Sequence, residues 1–127
     1  MYTYKATLVH VVDGDTADVV VELGFYITQT MRLRFNGINA PELKGSTHEA
    51  GMKSKLFVEQ ELGKAKTIGI KTYKIEKYGR YVADIFYSYD DIPVEEVFTS
   101  GMFLNRRLVE EGLAEEVTYK ELAGMLA

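Results

Sequence analysis

Six polar residues have the types and the spacing to handle a phosphodiester. Asp13 and Asp15 flank Gly14, Arg34 falls inside a strand-like run, Asn39 and Glu42 follow it, and Arg80 follows a basic stretch. Carboxylate and amide oxygens suit a hard cation such as Ca²⁺ or Mg²⁺. A guanidinium binds phosphate oxygens in pairs, and two of them can bracket a developing pentavalent phosphorus. A further glutamate can take a proton from water. Alone, each piece reads as something plainer. Asp13-Gly14-Asp15 is a hairpin turn signal, Pro41-Glu42 a loop rim, Tyr78-Gly79-Arg80 a turn, and Arg34 a charge on the wet side of a sheet.

The elements that must position these residues are legible. Lys5 to Val12 is β-branched and apolar, and Ala17 to Leu23 returns from the Asp-Gly-Asp turn as a second strand. Thr28 to Ile38 alternates, with Met31, Leu33 and Phe35 on one face and Arg32, Arg34 and Asn36 on the other. Glu49 to Leu62 has helix-forming composition, with Met52, Leu56, Phe57 and Leu62 apolar, and Gly63 ends it. Lys66 to Thr72 and Tyr81 to Tyr87 read as two more strands, Asp90 to Thr99 as an acidic loop and Phe103 to Glu111 as a short helix. Thr118 to Leu126 is a candidate last helix. Five strands in three-then-two order around a helix predict a mainly β, α+β fold. The expected architecture is a five-stranded oligonucleotide-binding-type barrel with two to three α-helices, as a single domain over 1–127. Closure would remove the exposed edges of so short a sheet.

Composition narrows the chemistry. The chain has 127 residues, 46% hydrophobic and 27% charged, an ordinary globular balance. No cysteine occurs, so disulfides, thiolate metal sites and cysteine nucleophiles are excluded, and two histidines cannot supply three imidazoles. Gly63-Lys64 is followed by Ala65, so no phosphate loop is present. No apolar run is long enough to span a membrane. The N-terminus shows no basic segment leading into an apolar one, so no secretory signal is read here. The expected location is inside the cell, or outside it with a signal already removed. The net charge of −4 argues against a nucleic-acid partner, but its distribution does not. The acids crowd into Asp90–Glu96 and the segment from Glu110 to Glu121, leaving the rest basic. Lys71 to Arg80 carries four bases, one acid and two tyrosines, a mixture that suits a phosphate backbone and stacked bases.

In order, these segments resemble the thermonuclease family, the staphylococcal nuclease-like domains. The resemblance rests on VVDGDTADVVV (11–21), MRLRFNGINAPEL (31–43), EAGMKSKLFVEQELGKAKTIGI (49–70), EKYGRYVADIFY (76–87) and LNRRLVEEGLAE (104–115). It implies a Ca²⁺-dependent nuclease that cuts single-stranded DNA and RNA and leaves 3′-phosphates. By position, Asp15 resembles the metal-binding aspartate, with Asp13 in support, and Ala40 offers its carbonyl to the metal. Arg34 and Arg80 resemble the two catalytic arginines, and Glu42 the general base. Lys77 and Tyr78 resemble the residues that hold a terminal phosphate, and Tyr119 stands where a stacking tyrosine is expected. Where active members usually have a second aspartate, this chain has Asn39, which can ligate Ca²⁺ but brings no charge. The resemblance implies nucleic acid as partner, no membrane and a monomer. The alternative is a weak or inactive barrel that binds nucleic acid or protein without cutting.

Overall fold

In the computed structural model a closed barrel is built from five strands. These are β1 (Tyr2–Asp13), β2 (Thr16–Gly24), β3 (Ile27–Phe35), β5 (Thr67–Ile75) and β6 (Arg80–Ser88). The structure describes residues 2–75 and 80–125, with the backbone alone at Lys74, Ile75, Arg80 and Tyr119. Neighbours are antiparallel in the order β3-β2-β1-β5-β6, and β3 and β6 close the barrel by a parallel pairing of Arg34 with Val82 and Phe35 with Ala83. Three two-residue strands complete the sheets: β4 (Ile38–Asn39), β7 (Met102–Phe103) and β8 (Glu115–Glu116). The alternation read in β3 is the burial pattern seen at its C-terminal end, and β2 alternates likewise. Ala17, Val19, Val21, Leu33 and Phe35 are buried and meet Ile70, Ala83 and Ile85 in one core.

Four α-helices occur among the described residues: α1 (His48–Lys64), α2 (Val94–Ser100), α3 (Leu104–Glu110) and α4 (Tyr119–Met125). None of the helices is long and apolar enough to cross a membrane. The stretch expected to be an acidic loop therefore holds a helix. Pro93 precedes it and Glu95 and Glu96 sit in its first turn, where acids favour the helix dipole. Helix α1 also buries a face other than its most apolar one. Gly51, Ser54, Val58, Glu61 and Leu62 point inward, whereas Met52 and Leu56 are exposed.

Glu61 is buried because its partners travel with it. Its carboxylate accepts hydrogen bonds from the Tyr87 and Tyr89 hydroxyls and ion pairs with Lys64 and Arg107. Burial alone would raise its pKa, but these hydrogen bonds together outweigh burial and hold it down at about 2, below the ordinary 4.5. A carboxyl whose folded pKa is depressed stabilises the fold above its ordinary value and loses that contribution as pH falls through the folded one. Acid titration of unfolding is expected to show stability lost between about pH 4.5 and 2. Glu61→Gln is expected to flatten that slope and lower stability at neutral pH. An unchanged acid limb in the variant would show that Glu61 is not the group responsible.

Candidate active site

The Asp13-Gly14-Asp15 turn sits against α1 because residue 14 lacks a side chain. A Cβ there would lie 2.5 Å from Ser54 Cβ and 2.8 Å from Ala40 Cβ, so the β1–β2 turn, β4 and α1 meet at one point. The Asp15 backbone N–H donates to Asp13 Oδ1 at 3.0 Å, which fixes the turn. Asp15 itself is buried. Its Oδ1 accepts from Thr16 Oγ1 at 3.0 Å and its Oδ2 from the Ala40 N–H at 2.9 Å. Arg34 Nη1 stands 3.2 Å from the same Oδ2.

Arg34 is the hub. Its Nη1 also donates to the Ile38 carbonyl at 3.0 Å and its Nη2 to Asn39 Oδ1 at 3.2 Å. The bend after β3 brings residues 38 and 39 back over the strand end that carries Arg34, and Gly37 makes the bend at φ +73°. From the far side, Met125 Sδ of α4 approaches Nη2 at 3.9 Å. Arg32 points to the same face of β3 but is taken by Asp18 at 2.8 Å on the exposed surface.

Burial pushes the Asp15 carboxyl up to about 6; the neighbouring Asp13 carboxyl adds to the rise, and Arg34 and the Ala40 N–H oppose it. Glu42 lies two residues past Ala40. Its backbone carbonyl accepts from Thr47 Oγ1 at 2.7 Å, and Gly51 of α1 packs so closely that a Cβ would lie 2.7 Å from that oxygen. The Glu42 side chain is exposed and has no hydrogen-bond or ion-pair partner among the described residues. The backbone of Arg80 opens β6 two residues before Val82, the partner of Arg34, so it enters at the same seam. The Arg80 and Tyr119 side chains, and Lys77 and Tyr78 altogether, lie outside the described residues.

Asp15, Arg34, Asn39 and Ala40, expected as parts of one site, thus touch one another. The Asp15 carboxylate, the Asn39 amide oxygen and the Ala40 carbonyl are all hard oxygen donors of the kind Ca²⁺ takes. The set fits in kind but is poor in charge, for among the described residues no three acidic or histidine side chains gather to hold a metal. Sequence reasoning missed two features. One is Asn105 of α3, whose Oδ1 accepts from the Ile85 N–H at 2.9 Å and whose Nδ2 donates to the Asn36 carbonyl at 2.8 Å, tying the end of β3 to β6. The other is β8, which places Glu115 opposite Asn39 and Glu116 opposite Ile38. Neither has a local signal, because both depend on the last third of the chain folding back. A cleft of about 310 Å³ runs beside the site between Asn39, Pro41, Thr47, Leu113 and Glu115.

No curated protein matched the chain in comparison. The family model for staphylococcal nuclease homologues matches residues 32–124, from β3 through α4. That span holds Arg34, Asn39, Ala40, Glu42 and Arg80; Asp15 lies before it and joins the site through its contacts with Arg34 and Ala40. A closed barrel with these contacts and a match over most of its length place this chain in the staphylococcal nuclease family.

Proposed function

We propose that the chain is a nuclease that hydrolyses phosphodiester bonds of single-stranded DNA or RNA with the help of Ca²⁺ and leaves 3′-phosphates. The observation that carries this reading is the convergence of the Asp15 carboxylate and the Asn39 amide on one guanidinium, that of Arg34. Arg34 is held in a fork by Asp15, Ile38 and Asn39, so its orientation is set before a phosphate arrives. Glu42, exposed and without a partner among the described residues, accepts a proton from the attacking water. Arg80, whose backbone opens β6, is assigned the charge on the departing oxygen. Ca²⁺ bound by Asp15, Asn39 and the Ala40 carbonyl would neutralise a phosphate oxygen.

The second reading is a barrel that binds without cutting. It is favoured by the uncharged Asn39 and by Glu115 and Glu116, which set negative charge beside the site where a polyanion must pass.

The two are separated by digestion of heat-denatured DNA with millimolar Ca²⁺ and then with chelator. Cutting that stops with chelator supports the nuclease; salt-dependent binding without cutting supports the binding module. Asn39→Asp adds a charged ligand and is expected to lower the Ca²⁺ needed for half-maximal activity about tenfold. An equal requirement in both proteins would remove residue 39 from the ligand set.

A further inference from the structure

Asn39 has a charged neighbour across the β4–β8 ribbon. Asn39 pairs there with Glu115, and Ile38 with Glu116. Residues directly opposite in an antiparallel pair turn their side chains to the same face, with Cβ atoms roughly 4.5–5.5 Å apart. The clefts on the two sides of the ribbon agree with this. Asn39 and Glu115 line the cleft of about 310 Å³ together with Ala40. Ile38 and Glu116 line another, of about 240 Å³, with Asp84 and Asn105. Glu115 therefore stands on the Asn39 side of the ribbon and Glu116 on the opposite side.

The segment that carries Glu115 is fixed to the same point of α1 as the Asp13-Gly14-Asp15 turn. Gly112 ends α3 at φ +72°, and the Leu113 and Ala114 N–H groups both donate to the Leu108 carbonyl. Ser54 Oγ donates to the Leu113 carbonyl, and Ser54 Cβ is the atom that a side chain at residue 14 would strike. One helix residue thus holds both the Asp15 turn and the approach to Glu115.

Charge points the same way. Arg34 stands 3.2 Å from Asp15 and already offsets its charge. Asn39 and the Ala40 carbonyl bring none, so Asp15, Asn39 and Ala40 together offer a divalent cation little net charge. Glu115 is exposed and has no hydrogen-bond or ion-pair partner among the described residues. Among the described residues that line its cleft it is the one charged side chain.

We propose that Glu115 is the second carboxylate of the cation site and supplies, across the ribbon, the charge that Asn39 lacks. This role of Glu115 rests on the Ca²⁺ site proposed above but not on cleavage. Two carboxylates, an amide and a backbone carbonyl make an all-oxygen set of the kind Ca²⁺ accepts, with further positions left to water and a phosphate oxygen. The set holds two acidic side chains, in keeping with the lack of any group of three among the described residues.

A Ca²⁺ titration of the full chain without nucleic acid, followed by NMR amide shifts, tests this. The amides of Asn39, Ala40 and Glu115 are expected to move on one binding curve. Glu115→Gln is expected to raise the dissociation constant about tenfold, because Ca²⁺ affinity follows ligand charge. Glu116→Gln removes the same charge from the other face of the ribbon and is expected to stay within about twofold of the parent at physiological salt. Asn39→Asp combined with Glu115→Gln is expected to return the constant to near that of the parent. Both glutamates are exposed, so the single variants are expected to fold. Equal constants for the parent and Glu115→Gln overturn the proposal. So does an equal loss in the two glutamine variants, which would make the effect one of overall charge. A parent whose three amides stay still through tens of millimolar Ca²⁺ overturns it too. Digestion of denatured DNA is scored apart. A chain that binds Ca²⁺ through Glu115 but cuts nothing keeps this role and loses the nuclease; a chelator-sensitive nuclease indifferent to Glu115 does the reverse.

Discussion

Glu42→Gln is expected to cut turnover on denatured DNA by roughly 10²–10⁴-fold, the range that general base action supplies. Gln keeps the size of the side chain and its exposure but cannot take a proton. Because Glu42 has no partner among the described residues, the exchange leaves no buried group stranded and the melting temperature is expected to hold. Binding of a non-cleavable oligonucleotide and the Ca²⁺ requirement are expected to stay near those of the parent. Loss of turnover with intact binding identifies a group used in the chemical step. A variant as fast as the parent would return the base role to another residue or to bulk water.

Arg34 carries two duties, and two substitutions separate them. Arg34→Lys keeps a charge beside Asp15 but loses the fork, so Ile38, Asn39 and a phosphate can no longer be met together. Activity is expected to fall roughly 10²–10³-fold with only a small loss of stability. Arg34→Ala leaves the buried Asp15 carboxylate without its counter-charge. It is expected to cost on the order of 3 kcal/mol of stability at neutral pH as well. Activity and chemical denaturation, measured on both variants, test the division. An active Arg34→Lys protein would mean that point charge, not geometry, is what the site needs.

Much of this was legible because it was written in local pattern. The alternation at Met31, Leu33 and Phe35 places Arg34 on the face opposite the core, whereas the bend at Gly37 that returns Asn39 and Ala40 to it falls inside the run read as alternating to Ile38. Helix α2 stands where an acidic loop is expected, because Pro93 with Glu95 and Glu96 is also a helix start, in which the acids act as partners of the dipole. The buried face of α1 could not be read. Three of its five inward residues, Gly51, Ser54 and Glu61, are small or paired, and what makes Glu61 acceptable there is Tyr87 and Arg107, distant in sequence. The pairs β4–β8 and β6–β7 are two residues long and exist only because the chain folds back on itself.

The seam between β3 and β6 joins segments far apart in the chain; Asn36 and Asp84, bonded across it, are separated by 48 positions. A loop of that size closes late, after hairpins and helices have formed on their own. A chain still emerging from the ribosome with β1 to β3 already folded has Asp15 and Arg34 but neither β6 nor a closed barrel. Under the nuclease reading, competence for cleavage waits on closure of the β3–β6 seam and not on β1 to β3 alone.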